Sequence, residues 1–201
     1  MQKNSVVLIT GSSTGFGRLT AETLARGGPR VYAAIRDTGS RNDGAASVLE
    51  ELARTEGVYL KVVDMDVTDK TSVERAVATV VQQAGSLDVL VNNAGVVQSG
   101  VSEGFTSEQT RRIFDVNFFG AWDVIRASLP QMRRQGSGLV INISTAISRV
   151  VIPFMGIYSA SKGVLEALSE SLRLGLAPLG IESVLVEPGA YGTPILAKTI
   201  A

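Results

Sequence analysis

Val6-Val7-Leu8-Ile9-Thr10 runs directly into Gly11-Ser12-Ser13-Thr14-Gly15-Phe16-Gly17, and from there into a helical pattern that reaches Arg26. An apolar run of this length without polar alternation reads as a strand buried on both faces. The glycines that follow permit a tight turn. They also let a pyrophosphate approach the amides of a helix N-terminus, whose dipole favours anions. The spacing is G-x-x-x-G-x-G rather than G-x-G-x-x-G, and glycines also simply make turns. The position between a strand and a helix argues for the dinucleotide reading.

The same alternation continues along the chain. Val31 to Ile35, Leu60 to Val63, Val89 to Asn92, Leu139 to Ile143 and Ser183 to Val186 read as five further strands rich in Val, Ile and Leu. Between them lie helical patterns. Gly17 to Arg26 carries Leu19, Thr23 and Leu24, and Asp69 to Gln83 opens on a capping residue and carries Val73, Ala76, Val77, Val80 and Val81. Thr106 to Arg134 predicts one long helix with a bend at Pro130, and Ile157 to Leu176 predicts another. Asp37 to Ala46, polar and with two glycines, reads as a surface loop. Strands alternating with helices imply βαβ units, hence an α/β, three-layer, doubly wound Rossmann fold with a mainly parallel sheet. The 201 residues fit one such domain, residues 1–201, with no repeat or linker.

Composition narrows the chemistry. The 19 basic and 19 acidic residues cancel, so no nucleic-acid partner is expected. There is no Cys and no His, which removes disulfides, thiolate nucleophiles, His-ligated metals and imidazole acid–base chemistry. Proton transfer is left to Tyr, Lys, Asp and Glu. The apolar start is too short for a signal h-region or a membrane span, so no membrane partner and a cytoplasmic location are expected.

The second strand ends Ile35-Arg36-Asp37. In this fold that end meets the adenosine ribose, where an Arg accommodates a 2′-phosphate and an acid accepts from a 2′-hydroxyl. Arg36 comes first and points to NADP(H), with NAD(H) as the alternative through Asp37. Asp64 and Asp66 follow the third strand; an adenine contact or a helix-capping turn suits them better than a metal site. Tyr158-Ser159-Ala160-Ser161-Lys162 places a phenol and an ammonium on one helix face. A neighbouring cation would lower the Tyr pKa and create a proton donor usable near neutral pH. A lone Y-x-x-x-K pair is also common on helix surfaces, and its meaning depends on what accompanies it.

Taken together, these motifs resemble the short-chain dehydrogenase/reductase family over nearly the whole chain. The turn Thr10 to Gly17 looks like the family's cofactor loop, and Asn92-Asn93-Ala94-Gly95 like the segment after its fourth strand. Asn117 aligns with the helix asparagine that holds a relay water, Tyr158 and Lys162 with the catalytic pair, and Pro188-Gly189 with Thr193 with the nicotinamide-side segment. The family's substrate-orienting Ser falls at Thr145, with Ser144 beside it as the fallback.

The resemblance implies hydride transfer between NADP(H) and a carbonyl or secondary alcohol. The catalytic set is then Tyr158, Lys162, Thr145 and Asn117. The cofactor would be held by Gly11, Ser13, Thr14, Gly15, Phe16, Gly17, Arg36, Asp66, Val67, Asn93, Ala94, Gly95, Ile143, Ser144, Tyr158, Lys162, Pro188, Gly189 and Thr193. Val97, Gln98, Arg149, Val150, Phe154, Met155 and Tyr191 flank these positions and imply an apolar substrate pocket. The family's pairing of helices across a two-fold axis implies a homodimer or homotetramer, with Phe118, Phe119 and Trp122 on the helices concerned. The family continues into a substrate-covering segment and a last strand, so a truncated chain or an omitted tail is expected after Ala201. A sugar-nucleotide epimerase, a dehalogenase-like relative, and a weak or inactive dinucleotide-binding protein of the same fold are the alternatives.

Overall fold

The computed structural model describes residues 3–193 and 195. In chain order the elements are β1 (Val6–Thr10), α1 (Gly15–Arg26), β2 (Arg30–Ile35), α2 (Asp43–Glu56), β3 (Leu60–Asp64), α3 (Lys70–Ala84), β4 (Val89–Asn92), α4 (Ser107–Phe114), α5 (Ala121–Gln135), β5 (Gly138–Ile143), α6 (Gly156–Leu176) and β6 (Ile181–Val186). All six strands join one parallel sheet in the order β3-β2-β1-β4-β5-β6. The order reverses between β1 and β4, and in such sheets ligands bind beyond the strand C-termini at that reversal.

Each face of the sheet carries its own core. On one, Val6, Leu8, Tyr32, Leu90 and Val140 pack with Val73 and Val77 of α3, Val124, Ile125 and Met132 of α5, and Leu176 of α6. On the other, Val7, Ile9, Val31, Ala33 and Ile35 pack with Ala21 and Ala25 of α1 and Leu49 of α2. The α3 stripe matches the sequence reading. In α1 it does not, because the buried residues are Gly17, Ala21 and Ala25 while Leu19 is exposed. Small side chains let this helix lie close to β1 and bring its N-terminus over the strand end.

Three expectations need correction. The segment read as a loop is only partly one, since Asp43 starts α2, whose buried face is just Ala46 and Leu49 and gave little periodicity. The helix expected over Thr106 to Arg134 is broken by a π-turn at Asp115–Gly120 and not by Pro130. Pro130 lies inside the continuous α5, where its ring removes one backbone donor toward the carbonyl of the exposed Arg126 without ending the helix. The edge strands are not buried on both faces: β6 alternates, with Val184 and Val186 about 40% exposed. Among the described residues no helix covers that side of β5 and β6.

Candidate active site

The strand β1, the glycine turn and the end of β4 are tied together by direct bonds. Thr10 Oγ1 accepts from the amides of Asn93 and Ala94, both at 3.0 Å. Asn93 Nδ2 donates to the carbonyls of Thr10 at 2.9 Å and Gly11 at 3.2 Å. Gly11 has φ +68°, and a Cβ there would lie 2.7 Å from Ala94 Cα. A Cβ on Gly17 would lie 2.4 Å from Asn93 Nδ2 and 2.5 Å from the Gly11 carbonyl oxygen. Side chains are therefore excluded from both positions, and the turn folds back flat against β4. Ser13, Thr14, Gly15 and Phe16 form the rim of this turn and are all half-buried. The N-cap Thr14 makes no side-chain cap bond and the first turn of α1 holds no acid, so nothing competes with an anion at that helix end.

The other half of the site is carried by β5, the turn after it, and α6. Tyr158 and Lys162 are buried on one face of α6, and Lys162 Nζ donates to the Ile143 carbonyl at 2.7 Å. Burial pushes the Tyr158 phenol above its usual value, and the neighbouring Thr145 hydroxyl pulls the other way. The expected lowering by Lys162 is not what this geometry gives: burial raises the phenol, the Thr145 hydroxyl is what opposes it, and the Lys162 ammonium is engaged by the Ile143 carbonyl. Gly95 joins the two halves: a Cβ there would lie 3.4 Å from Asn117 Oδ1 and 3.6 Å from Lys162 Nζ. Asn117 sits fully buried in the π-turn, where its Oδ1 accepts from the Val96 amide and its Nδ2 donates to the Val96 carbonyl and Ser161 Oγ. Ser144 Oγ, by contrast, donates to the Glu166 carboxylate, which leaves Thr145 as the hydroxyl beside the phenol.

Lys162 is wholly buried, and burial pushes its pKa down from 10.5 to about 8, with the Glu166 carboxylate acting against that fall. The unfolded chain keeps this proton up to about 10.5 and the folded chain only to about 8. The unfolded state therefore binds more protons between those values, and the contribution of Lys162 to stability climbs with pH across that window. Urea unfolding of the native chain and of Lys162→Met should show their difference moving by about 2 kcal/mol in favour of the native chain between pH 7.5 and 9.5. A flat difference would mean that the ammonium is not desolvated.

Other residues stand apart from this cluster. Arg36 is exposed at the end of β2 and makes no ion pair among the described residues, and Asp37 follows with φ 55°. Asp66 Oδ1 accepts from the amide and hydroxyl of Thr68, a turn leading into α3, and Val67 is packed under Gly120 of the π-turn. Pro188 lies near the centre, its carbonyl accepting from the Ala146 amide at 3.0 Å, with Gly189 beyond it. Thr193 donates its amide to the Tyr191 carbonyl, and the Tyr191 ring meets Phe16 edge-on at 5.5 Å. Of the residues expected to line a pocket, Val97 is buried, Gln98 holds an unpartnered buried Oε1, and Met155 is half-buried. Val150, Phe154 and Tyr191 are about two-thirds exposed, and Arg149 is ion-paired to Glu166 and Glu187.

The short chain dehydrogenase family model matches residues 5–201. This chain belongs to that family. It is 38% identical over 188 residues to the 3-ketodihydrosphingosine reductase of Bacteroides thetaiotaomicron, covering 94% of this chain and 64% of that protein. Among solved structures, a gluconate 5-dehydrogenase from Burkholderia cenocepacia J2315 in complex with NADP and tartrate superposes with a TM-score of 0.89 at 28% identity, covering 96% of this chain and 74% of that one. A short chain dehydrogenase/reductase from Burkholderia phymatum in complex with NAD gives 0.90 at 28% identity, covering 98% and 69%. The chain thus spans a little under two thirds of its curated relative.

Two features escaped the sequence reading. The first is a buried polar ladder in which Asn92 Nδ2 donates to Asn142 Oδ1 at 2.9 Å and Asn142 Nδ2 to Ser169 Oγ at 2.8 Å. It pins β4, β5 and α6 together beneath the site. The second is Glu166, whose only trace in the sequence is its spacing one helical turn beyond Lys162. No helix among the described residues is long and apolar enough to cross a membrane.

Proposed function

We propose that this chain is the nucleotide-binding and catalytic part of an oxidoreductase. It would transfer a hydride between NADP(H), in preference to NAD(H), and a small-molecule ketone, aldehyde or secondary alcohol. The observation that carries the reading is the meeting of Tyr158, Lys162 and Thr145 with Gly95 and Asn117 at the end of the glycine turn. The fit for a dinucleotide is direct: a flat cradle that excludes any side chain at Gly11 and Gly17 leads to an uncapped, acid-free helix N-terminus. Gly11 and Ser13 to Gly17 would hold the pyrophosphate, and Asp66 and Val67 the adenine. Asn93 to Gly95, Ile143, Ser144, Pro188, Gly189 and Thr193 would border the rest. When bound, the dinucleotide supplies the hydride donor or acceptor.

The protein's own work is proton transfer and orientation. Tyr158 holds its proton near neutral pH, since burial raises it, and gives that proton to the substrate oxygen as negative charge develops there. Thr145 donates a second hydrogen bond to the same oxygen. Lys162, held by the Ile143 carbonyl, would place a positive charge beside the phenol and would bind the nicotinamide ribose hydroxyls of the dinucleotide. Asn117, its side chain occupied by Val96 and Ser161, offers its backbone in the π-turn for a relay water. Alcohol oxidation runs the same transfers in reverse. The exposed Val150, Phe154 and Tyr191 favour an apolar substrate. Phe119, half-exposed on the π-turn and edge-on to Phe118, supports helix pairing into a homodimer or homotetramer. A cytoplasmic setting goes with this reading.

Arg36 gives the first test. Fluorescence titration should show NADPH binding more tightly than NADH, and Arg36→Ala should lose about tenfold or more in NADPH affinity with NADH unchanged. Equal binding of both would hand the choice to Asp37. Tight NADPH binding with no turnover of acetophenone, cyclohexanone or retinal would favour a binding protein over an enzyme.

A further inference from the structure

Glu166 lies one turn beyond Lys162 on α6, so Tyr158, Lys162 and Glu166 form a single stripe along the helix. Its side chain is only 11% exposed. Such a carboxylate must be compensated by hydrogen bonds and charge, and the compensation is specific. Oε1 accepts from the Ser144 hydroxyl and lies within hydrogen-bond reach of the Ser148 hydroxyl, whose single proton is shared with the Thr145 carbonyl at 2.5 Å, and Oε2 lies 3.4 Å from Arg149 Nε. Ser144 and Ser148 flank Thr145 on either side, one at the exit of β5 and the other in the short turn Ala146–Ser148. The carboxylate therefore clamps both ends of the segment that presents Thr145 to Tyr158. Four residues beyond Lys162 on α6, it shares a helix face with that buried ammonium, although no direct Lys162–Glu166 ion pair forms among the described residues.

We propose that Glu166 is a positioning residue of the reaction centre: it fixes Thr145 through Ser144 and Ser148, and it is the counter-charge of Lys162. The proposal rests on the reading above, in which Tyr158, Thr145 and Lys162 act on the substrate oxygen. A charge is not needed for packing alone, because a neutral amide oxygen of the same shape would also accept two hydroxyl bonds. The charged and titratable groups around it include Glu170, one turn further along α6, which also acts on Arg149. Tyr158 and Lys162 lie on α6 itself. Arg149 approaches from the turn after β5, and Glu187, paired with Arg149 at 2.8 Å, from beyond β6. Arg149 is exposed and shared between two acids, so it neutralises Glu166 incompletely. The remaining negative charge acts on Lys162, consistent with the upward pull that Glu166 exerts on the lysine.

Two variants separate the roles. Glu166→Gln keeps the acceptor oxygen and removes the charge, whereas Ser148→Ala keeps the charge and removes one tether of the Thr145 segment. In the Glu166→Gln background, the pH at which Lys162 begins to add stability, read against the same chain carrying Lys162→Met, should move down by about one pH unit. Ser148→Ala should leave that onset in place. It should lower kcat for the best-reduced of acetophenone, cyclohexanone and retinal by about three- to tenfold with little change in NADPH affinity. An unmoved onset in Glu166→Gln overturns the counter-charge, and native turnover in Ser148→Ala overturns the clamp. The onset is read without cofactor or substrate. Failure of the native chain to bind NADPH would therefore strike the functional reading and still leave the charge coupling measurable.

Discussion

Tyr158→Phe is expected to lower carbonyl reduction by about 10²- to 10⁴-fold, the usual range for removing a positioned proton donor. The phenol is 6% exposed and its ring is held in the face of α6, so the variant keeps the packing and loses one oxygen. No His or Cys exists to take over the proton, and the nearest hydroxyl, Thr145, is far too weak an acid to do so. Lys162 is engaged by the Ile143 carbonyl at 2.7 Å, which leaves it poorly placed to substitute. Thermal stability should be nearly unchanged and NADPH titration should still saturate, so the loss falls on turnover. Retained turnover in Tyr158→Phe would remove the phenol from the mechanism and move attention to Lys162 or a bound water.

Gly17→Ala should abolish cofactor binding at the level of about 100-fold or more and lower Tm by about 2–8 °C. The added methyl would meet the Gly11 carbonyl at 2.5 Å, a backbone atom that cannot rotate away, and Asn93 Nδ2 at 2.4 Å. Relieving the clash pushes the glycine turn off β4. That breaks the bonds from Asn93 to Thr10 and Gly11 and tilts the first turn of α1, whose amides form the anion site. Gly175→Ala is the matching control: it lies exposed in α6, a Cβ there meets nothing within 4 Å, and it should stabilise by about 0.5–1 kcal/mol. If Gly17→Ala bound NADPH normally, the close approach of the turn to β4 would be irrelevant to the cofactor.

What local order alone dictates was legible in the residues themselves. Uninterrupted runs such as Val6 to Ile9 and Val89 to Val91 are stable only inside a covered parallel sheet, and the central strands were located from that demand, whereas β6 proved to be exposed on one face. The glycine turn and the Tyr158–Lys162 pair were equally readable, because both are short-range patterns whose spacing is their meaning. The helix α2 was not, since it buries only Ala46 and Leu49 and so carries almost no periodic signal.

The tertiary structure alone decided three matters. Burial is the main cause that pushes the Tyr158 phenol up and the Lys162 ammonium down, and burial is a property of every element around α6 rather than of five residues in a row. The π-turn at Asp115–Gly120 sets Asn117 against Val96 and Ser161, contacts more than twenty residues apart in sequence that no helical pattern announces. Glu166 reaches Ser144 and Ser148 across the β5–α6 connection. Its role depends on which hydroxyls the fold brings to one oxygen, because hydrogen bonds and charge act over ångströms in space while the sequence records only order along the chain.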